Sequence, residues 1–337
     1  MCVMQADTPL SAADVARWET LPAAELESEL EARGIWDGLP LAPPSSRRLR
    51  ELLAAAPATK EPLALVPPLL GAATVEAVAV VAALAGCDAR QLPVVLAAVR
   101  ALAAPELNAL GVLTTTGNAA LMVVVNGPAA DERGYRSDGN CLGPGCRSNA
   151  VTGRALSLVC RALGGAREGL GDLATMGQPA KYGFCFAENE ARSPWEPYSI
   201  ERGFAPSQST VTVVGVSGVL EVFNGESSEA DDLLQTMAEA MARPAVVGTP
   251  DRGLAGGGHP FVLISPEWAA SLSGAGLSKA DVKRELHRRA RWRKGDRELA
   301  AAARPEDVHV LVTGGVGIKQ TFVPNWGGGS VPVTVGL

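Results

Sequence analysis

Apolar runs with β-branched character alternate with helix-forming stretches along most of this chain. Residues 120–125 read as a buried strand that stops abruptly at Asn126-Gly127-Pro128. Residues 112–116, 210–216, 261–264 and 308–312 read as further strands, the last halted by Thr313-Gly314-Gly315. A glycine loop with Gly253 and Gly256 leads into the strand at 261. Helical patterns fall between them, over 74–84, 91–102, 151–163, 229–241 and 279–292. Alternation of this kind predicts an α/β fold with a largely parallel sheet flanked by helices. In such sheets ligands bind beyond the carboxyl ends of the strands, which is where Asn126 and the turn after Thr313 fall.

The first 60 residues differ. Ser11, Pro22 and the Pro-Pro-Ser-Ser stretch each open a helical segment, so residues 1–60 are expected to form a helical extension on an α/β main body, 61–337. Two similar runs suggest a pseudo-repeat with lobes of about 61–205 and 206–337. Ala85-Gly86, helix, strand, Asn126-Gly127 is matched by Ala275-Gly276, helix, strand, Gly314-Gly315.

Net charge is −6 and there is no basic stripe, which speaks against nucleic acid; the basic run at 283–293 reads as a solvated helix face. The longest apolar run, 77–87, is about half of what a bilayer crossing needs, and no leader pattern opens the chain. A cytoplasmic protein with no membrane partner is expected. Its six cysteines are then expected to be thiols, with Cys87 and Cys160 as buried small hydrophobes and Cys2 incidental.

The densest chemistry lies in residues 181–204. This stretch carries six aromatic residues and two prolines in a chain that is only 4% aromatic. Rings and charges concentrated in one irregular segment predict the wall of a small-molecule site. Lys181, four residues before Cys185, is placed to lower that thiol's pKa and make it a nucleophile; the alternative is a core cysteine between Phe184 and Phe186. Glu188 and Glu190 share one side of an extended strand and read as an acid–base pair. Trp195 and Glu196 would complete the wall.

Two glycine turns are candidate anion cradles. In one, Asn140, Cys141, Gly143, Gly145, Cys146, Arg147 and Asn149 run into a helix start, with Arg154 one turn further on. In the other, Gly314 and Gly315 precede Lys319. Neither is a nucleotide fingerprint, so no cofactor is expected. Cys141 and Cys146 are separated by four residues rather than the two of a thioredoxin-like motif, which weakens a redox pair, and with only three histidines in the chain no metal site is expected.

Five stretches carry a resemblance: TVEAVAVVAALAGCDARQLPVVLAAVRAL, LMVVVNGP, CLGPGCRSNAVTGRAL, DLATMGQPAKYGFCFAENEARSPWEPYSIERGF and VLVTGGVGIKQTFVPNW. Together they resemble a group of bacterial proteins associated with the thioredoxin-like selenoprotein family named for its Sec-Gly-Ser-Cys (UGSC) motif. The resemblance runs from about residue 40 to the end. It implies a shared fold and pocket. The chain has no Sec-Gly-Ser-Cys or Cys-Gly-Ser-Cys element, so it implies no redox activity.

The leading expectation is a small-molecule enzyme of acid–base type, working by elimination, addition or ring closure on an anionic substrate, in bacterial specialised metabolism. Asn126 and the residues of both glycine turns would bind that substrate. A thiol enzyme using Cys141, Cys146 or Cys185 is one alternative. A non-catalytic subunit that acts with a small protein partner or as a homo-oligomer is another.

Overall fold

The computed structural model describes residues 10–242, 258–294 and 297–337. Cys2 and the glycine loop around Gly253 and Gly256 lie outside the described residues.

The chain opens on α1 (Ala12–Trp18), α2 (Ala23–Ala32) and α3 (Ser46–Ala54), with Ser11 closing a capping box on Asp14 and Ser45 capping α3. A short hairpin, β1 (Leu65–Val66) and β2 (Gly71–Ala72), leads to α4 (Val75–Ala85), capped by Thr74 and ended by Gly86 at φ 95°. All of α4 except Glu76 is buried, as expected of a helix that is apolar all round. Then follow α5 (Leu92–Ala101), α6 (Ala109–Thr114), β3 (Ala120–Asn126), α7 (Ala129–Glu132), α8 (Arg147–Ala162), β4 (Cys185–Ala187) and α9 (Tyr198–Glu201). The rest is β5 (Thr210–Val216), β6 (Leu220–Phe223), α10 (Ala230–Ala242), β7 (Phe261–Ile264), α11 (Pro266–Gly274), α12 (Lys279–Arg289), the pair β8 (Arg291–Lys294) and β9 (Arg297–Ala300), β10 (His309–Val312), β11 (Lys319–Val323) and β12 (Val333–Gly336). No single helix among the described residues is long and apolar enough to cross a membrane.

The fold is mixed helix and sheet, broadly α/β, but the sheets are not largely parallel. One runs β12-β5-β3-β4 and the other β10-β7-β11-β6. Each holds one parallel pair, β3 with β4 and β7 with β10, and its other pairings are antiparallel. The strand expected at 112–116 is instead α6 and its exit. Asn108 at φ 53° accepts from the Gly111 amide and starts a helix, overriding the β-branched composition.

Period-two alternation sorts the strand residues into layers. Leu121, Val123 and Val125 of β3 pack on the N-terminal helices and α8, while Met122 and Val124 face the other sheet. In the second sheet Val262 and Ile264 pack on α10, α11 and α12, while Phe261 and Leu263 meet Met122 and Val124 across the middle. The result is four layers: helices, sheet, sheet, helices. The sheets exchange edges, since β6 follows β5 but joins the second sheet, and β12 follows β11 but joins the first. Residue 205 therefore does not divide them. Residues 10–60 add Val15, Trp18, Leu49 and Leu52 to the first core. Arg154 of α8 grips Asp37 through two 2.8 Å bonds and also reaches the Pro40 carbonyl, tying this segment to the body.

Candidate functional site

The ends of both parallel pairs gather in one region. Asn126 is the last residue of β3, and Glu188, Ser265 and Thr313 directly follow β4, β7 and β10. The outer edges of the sheets meet there: the Asn189 amide donates to the Val312 carbonyl at 2.8 Å, and Thr313 Oγ1 lies 3.0 Å from the Ala187 carbonyl.

Glu188 and Glu190 converge on Asn126. Asn126 Nδ2 donates to Glu188 Oε2 at 2.6 Å and to Glu190 Oε1 at 2.9 Å, and the Gly127 amide donates to Glu190 Oε1 at 2.7 Å. Glu190 thus caps the end of β3. Glu188 is buried, and its Oε2 also accepts from the Tyr198 amide at 2.8 Å. Lys279 Nζ, at the start of α12, is 3.8 Å from Glu188 Oε1, bonds the Glu196 carbonyl and pairs with Glu201. Burial pushes the Glu188 carboxyl above its ordinary range, against the opposing pull of Lys279 and the two donors. Glu188 Oε1 and Asn126 Oδ1 have no hydrogen-bond partner. A proton on Glu188 turns one of these orphaned acceptors into a donor.

Beside this joint the two glycine turns share a hollow of about 220 Å³. Cys141 and Leu142 form one wall and the turn from Thr313 to Gly317 another, with Lys319 and Thr321 across from them on β11. The turns touch: a Cβ on Gly315 would lie 2.7 Å from the Gly139 Cα. Asn149 organises the first turn from beneath. It accepts from the Arg136 amide and donates to the carbonyls of Arg136 and Cys141, each at 3.0 Å. Thr313 links hollow to joint, its hydroxyl lying 3.3 Å from Cys141 Sγ as well as beside Ala187.

Several expected site residues lie elsewhere. Glu188, Glu190 and Asn126 do not line the hollow; they form the joint behind Thr313. Lys181 sits before β4, at the end opposite Glu188, and pairs with Asp172 at 2.5 Å. Cys185 is a core residue whose thiol is pushed well above its usual range by burial, so it is no activated nucleophile. Trp195 donates from its ring to the Leu277 carbonyl and packs on the second core, while Glu196 is exposed. Arg147 donates to the Gly86 carbonyl and Arg154 holds Asp37, so neither is turned to an anion. Cys141 and Cys146 are free thiols with separate partners, Thr313 for one and Asn149 with Gly134 for the other. Burial raises the Cys141 thiol pKa as well. Gly143 clears the Asn140 side chain, and Asn140 itself, at φ 60°, bonds the Pro144 carbonyl. Asn140, Cys141, Gly314, Gly315 and Lys319 do line the hollow. Among the described residues no cluster has the makings of a metal site.

Sequence reading missed Ser265 as a lining residue, although it follows a legible strand, whereas Thr313 opens the second glycine turn that the sequence already marks. It also missed a buried chain of rings. Tyr198 Oη lies 3.1 Å from His309 Nδ1, and His309 Nε2 lies 3.2 Å from His259 Nδ1. Burial lowers the pKa of both imidazoles, that of His309 far below the ordinary value. A histidine kept neutral in the fold takes up its proton only on unfolding. The stability it protects is complete above about pH 6.5 and is lost as pH falls below that value, by up to about 1.4 kcal/mol per unit. Urea unfolding between pH 7.5 and 5.5 (both about) is expected to show the stability gap between wild type and His309→Gln narrowing toward acid; a constant gap would deny the neutral histidine.

No protein-family model matches this chain, and no curated protein or solved structure matches it either.

Proposed function

We propose that this protein is a small-molecule enzyme that holds an anionic metabolite in the hollow between its two glycine turns. One observation carries the reading: the polar wall of that hollow contains hydroxyls, glycine backbone and the Lys319 ammonium, and no carboxylate. Lys319 lies over the Phe223 ring at 3.7 Å and 3.2 Å from Glu221, which restrains its long side chain. A concavity at strand ends with a lysine and no carboxylate in its own lining suits carboxylate or phosphate, which would compete with Glu221 for Lys319 and with Glu267 for the Gly317 amide.

A melting-temperature panel of small carboxylates and phosphates tests this. An anion present at about 1,000 times its Kd stabilises the fold by roughly 4 kcal/mol, and Lys319→Met is expected to abolish most of the shift. No shift from any member of the panel would remove the proposal.

The chemistry we assign is proton transfer, in elimination, addition or ring closure, with Glu188 as the acid–base group. Its raised carboxyl pKa and its orphaned Oε1 favour it over Glu190, whose Oε1 is committed to Asn126 and Gly127. Glu188 is buried behind Thr313, whose hydroxyl bonds the neighbouring Ala187 carbonyl, so Glu188 acts on a substrate in the hollow only when the joint at Thr313 opens. Glu188→Gln is then expected to slow turnover by about 10²–10⁴-fold with binding retained; a loss under about tenfold makes Glu188 structural. Replacing Cys141, Cys146 and Cys185 together with serine is expected to preserve activity, and its loss would favour the thiol alternative. The common plan of the two sheets, with exchanged outer strands, supports a two-lobed pseudo-repeat. The motif resemblance to the Sec-Gly-Ser-Cys group supports a shared pocket.

A further inference from the structure

β6 is the last strand of its sheet, paired with β11 on one side and, among the described residues, with no strand on the other. A bare sheet edge is a template for another strand, and folded proteins blunt it with charge, proline or a bulge. This edge has little of that protection. Val219, Leu220 and Phe223 are 55%, 44% and 48% exposed. Ile318, which precedes the Lys319 that pairs with Phe223, is 48% exposed as well. The one charge on the strand, Glu221, is already answered by Lys319 at 3.2 Å. Apolar side chains grouped along an open edge mark a place where another chain sits.

The strand is built to receive its own copy. Val222 points into the second core, and Leu220 shares its face. Glu221 and Phe223 share the other face with Lys319, whose ammonium lies over the Phe223 ring. After Phe223 the chain turns away, since Asn224 Oδ1 accepts from the amides of Glu226 and Ser227. An antiparallel copy must set like faces against each other, so two two-fold registers fit this short strand. One centres on Glu221 and sets it against the same carboxylate of the copy, which is repulsive. The other centres on Val222 and sets Glu221 against the copy's Phe223, over whose ring the copy's Lys319 lies. Carboxylate and ammonium then flank one ring on each side of the axis, a self-complementary arrangement.

We propose that β6 pairs antiparallel with β6 of a second copy of this chain, centred on Val222, so that two four-stranded sheets become one continuous sheet. The contact needs no ligand in the hollow between the glycine turns, and it can stand or fall without one.

Sedimentation velocity of the full chain between about 5 and 200 μM tests it. A mass of two chains is expected at the upper end, with a Kd of about 1–50 μM, as suits a small interface. Phe223→Glu sets a carboxylate against the copy's Glu221 while keeping Lys319 as a neighbour in its own chain. It is expected to weaken the dimer at least about tenfold and to leave the melting temperature of the single chain within a few degrees. Adding Glu221→Lys restores opposite charges in the register centred on Val222 and is expected to recover most of the loss. In the register centred on Glu221 the same change sets lysine against lysine. A chain that stays single at about 200 μM overturns the proposal, whether the edge is bare or serves a strand of another protein. A dimer that Phe223→Glu leaves intact, or that the second change does not rescue, overturns this pairing.

Discussion

Glu188→Ala is expected to lower the stability of the fold by about 3–5 kcal/mol, measured by urea unfolding at neutral pH. The carboxylate accepts from Asn126 and from the Tyr198 amide, and it lies beside Lys279. Its removal leaves the Tyr198 N–H without an acceptor in a buried place and a lysine ammonium half-compensated by Glu201. The same carboxylate follows β4 where that strand meets β10, so the loss falls on the seam between the sheets. Glu188→Gln keeps the shape and most of the acceptor capacity, and about 1–2 kcal/mol is expected for it. A change under about 1 kcal/mol for alanine would mean that the seam is held by Thr313 and Asn189 without help from the carboxylate.

Gly153→Val is expected to be at least as severe, with a loss of about 3 kcal/mol or more, or no folded protein at all. Gly153 of α8 lies directly on the chain entering β4. A Cβ there would sit 2.6 Å from the Phe184 amide nitrogen, and a Cβ on Gly183 would sit 2.5 Å from that of Arg154. Backbone meets backbone, so no side chain can yield to make room. Gly153→Ala is expected to lose about 1–3 kcal/mol by the same contact, and an unchanged melting temperature in the alanine variant would show that helix and strand separate freely. This crossing fixes the height of β4 against α8, and through it the position of Glu188 relative to the turn that α8 carries at its start.

Local signals were legible where the sequence is locally consistent. The caps at Ser11, Ser45 and Thr74, the stop at Gly86 and the buried runs that became β3, β5, β7 and β10 all follow from short-range chemistry. The antiparallel strands were not. β11 begins at Lys319 inside what reads as a glycine loop, and β6 and β12 find partners only by crossing to the other sheet. Such pairings leave no periodic trace in their own neighbourhoods. The strip at 181–204 was recognised for its composition, yet its first part holds a core strand, and Glu188 and Glu190 serve the joint between sheets. Lys181 and Glu188 are seven positions apart, and the intervening strand sends them to opposite ends of the sheet. The two glycine turns meet although only the second directly follows a strand; the first lies between α7 and α8.

The claim on which the account rests is that the hollow between those turns takes a small anion. Amide resonances of isotope-labelled protein, followed through titrations with inorganic phosphate and with malonate, test it most directly. Saturating shifts centred on Cys141, Leu142, Thr313, Gly315 and Val316, with at least one of the two anions, are the expected result. Shifts that centre elsewhere, or none with either anion at millimolar concentration, would contradict it.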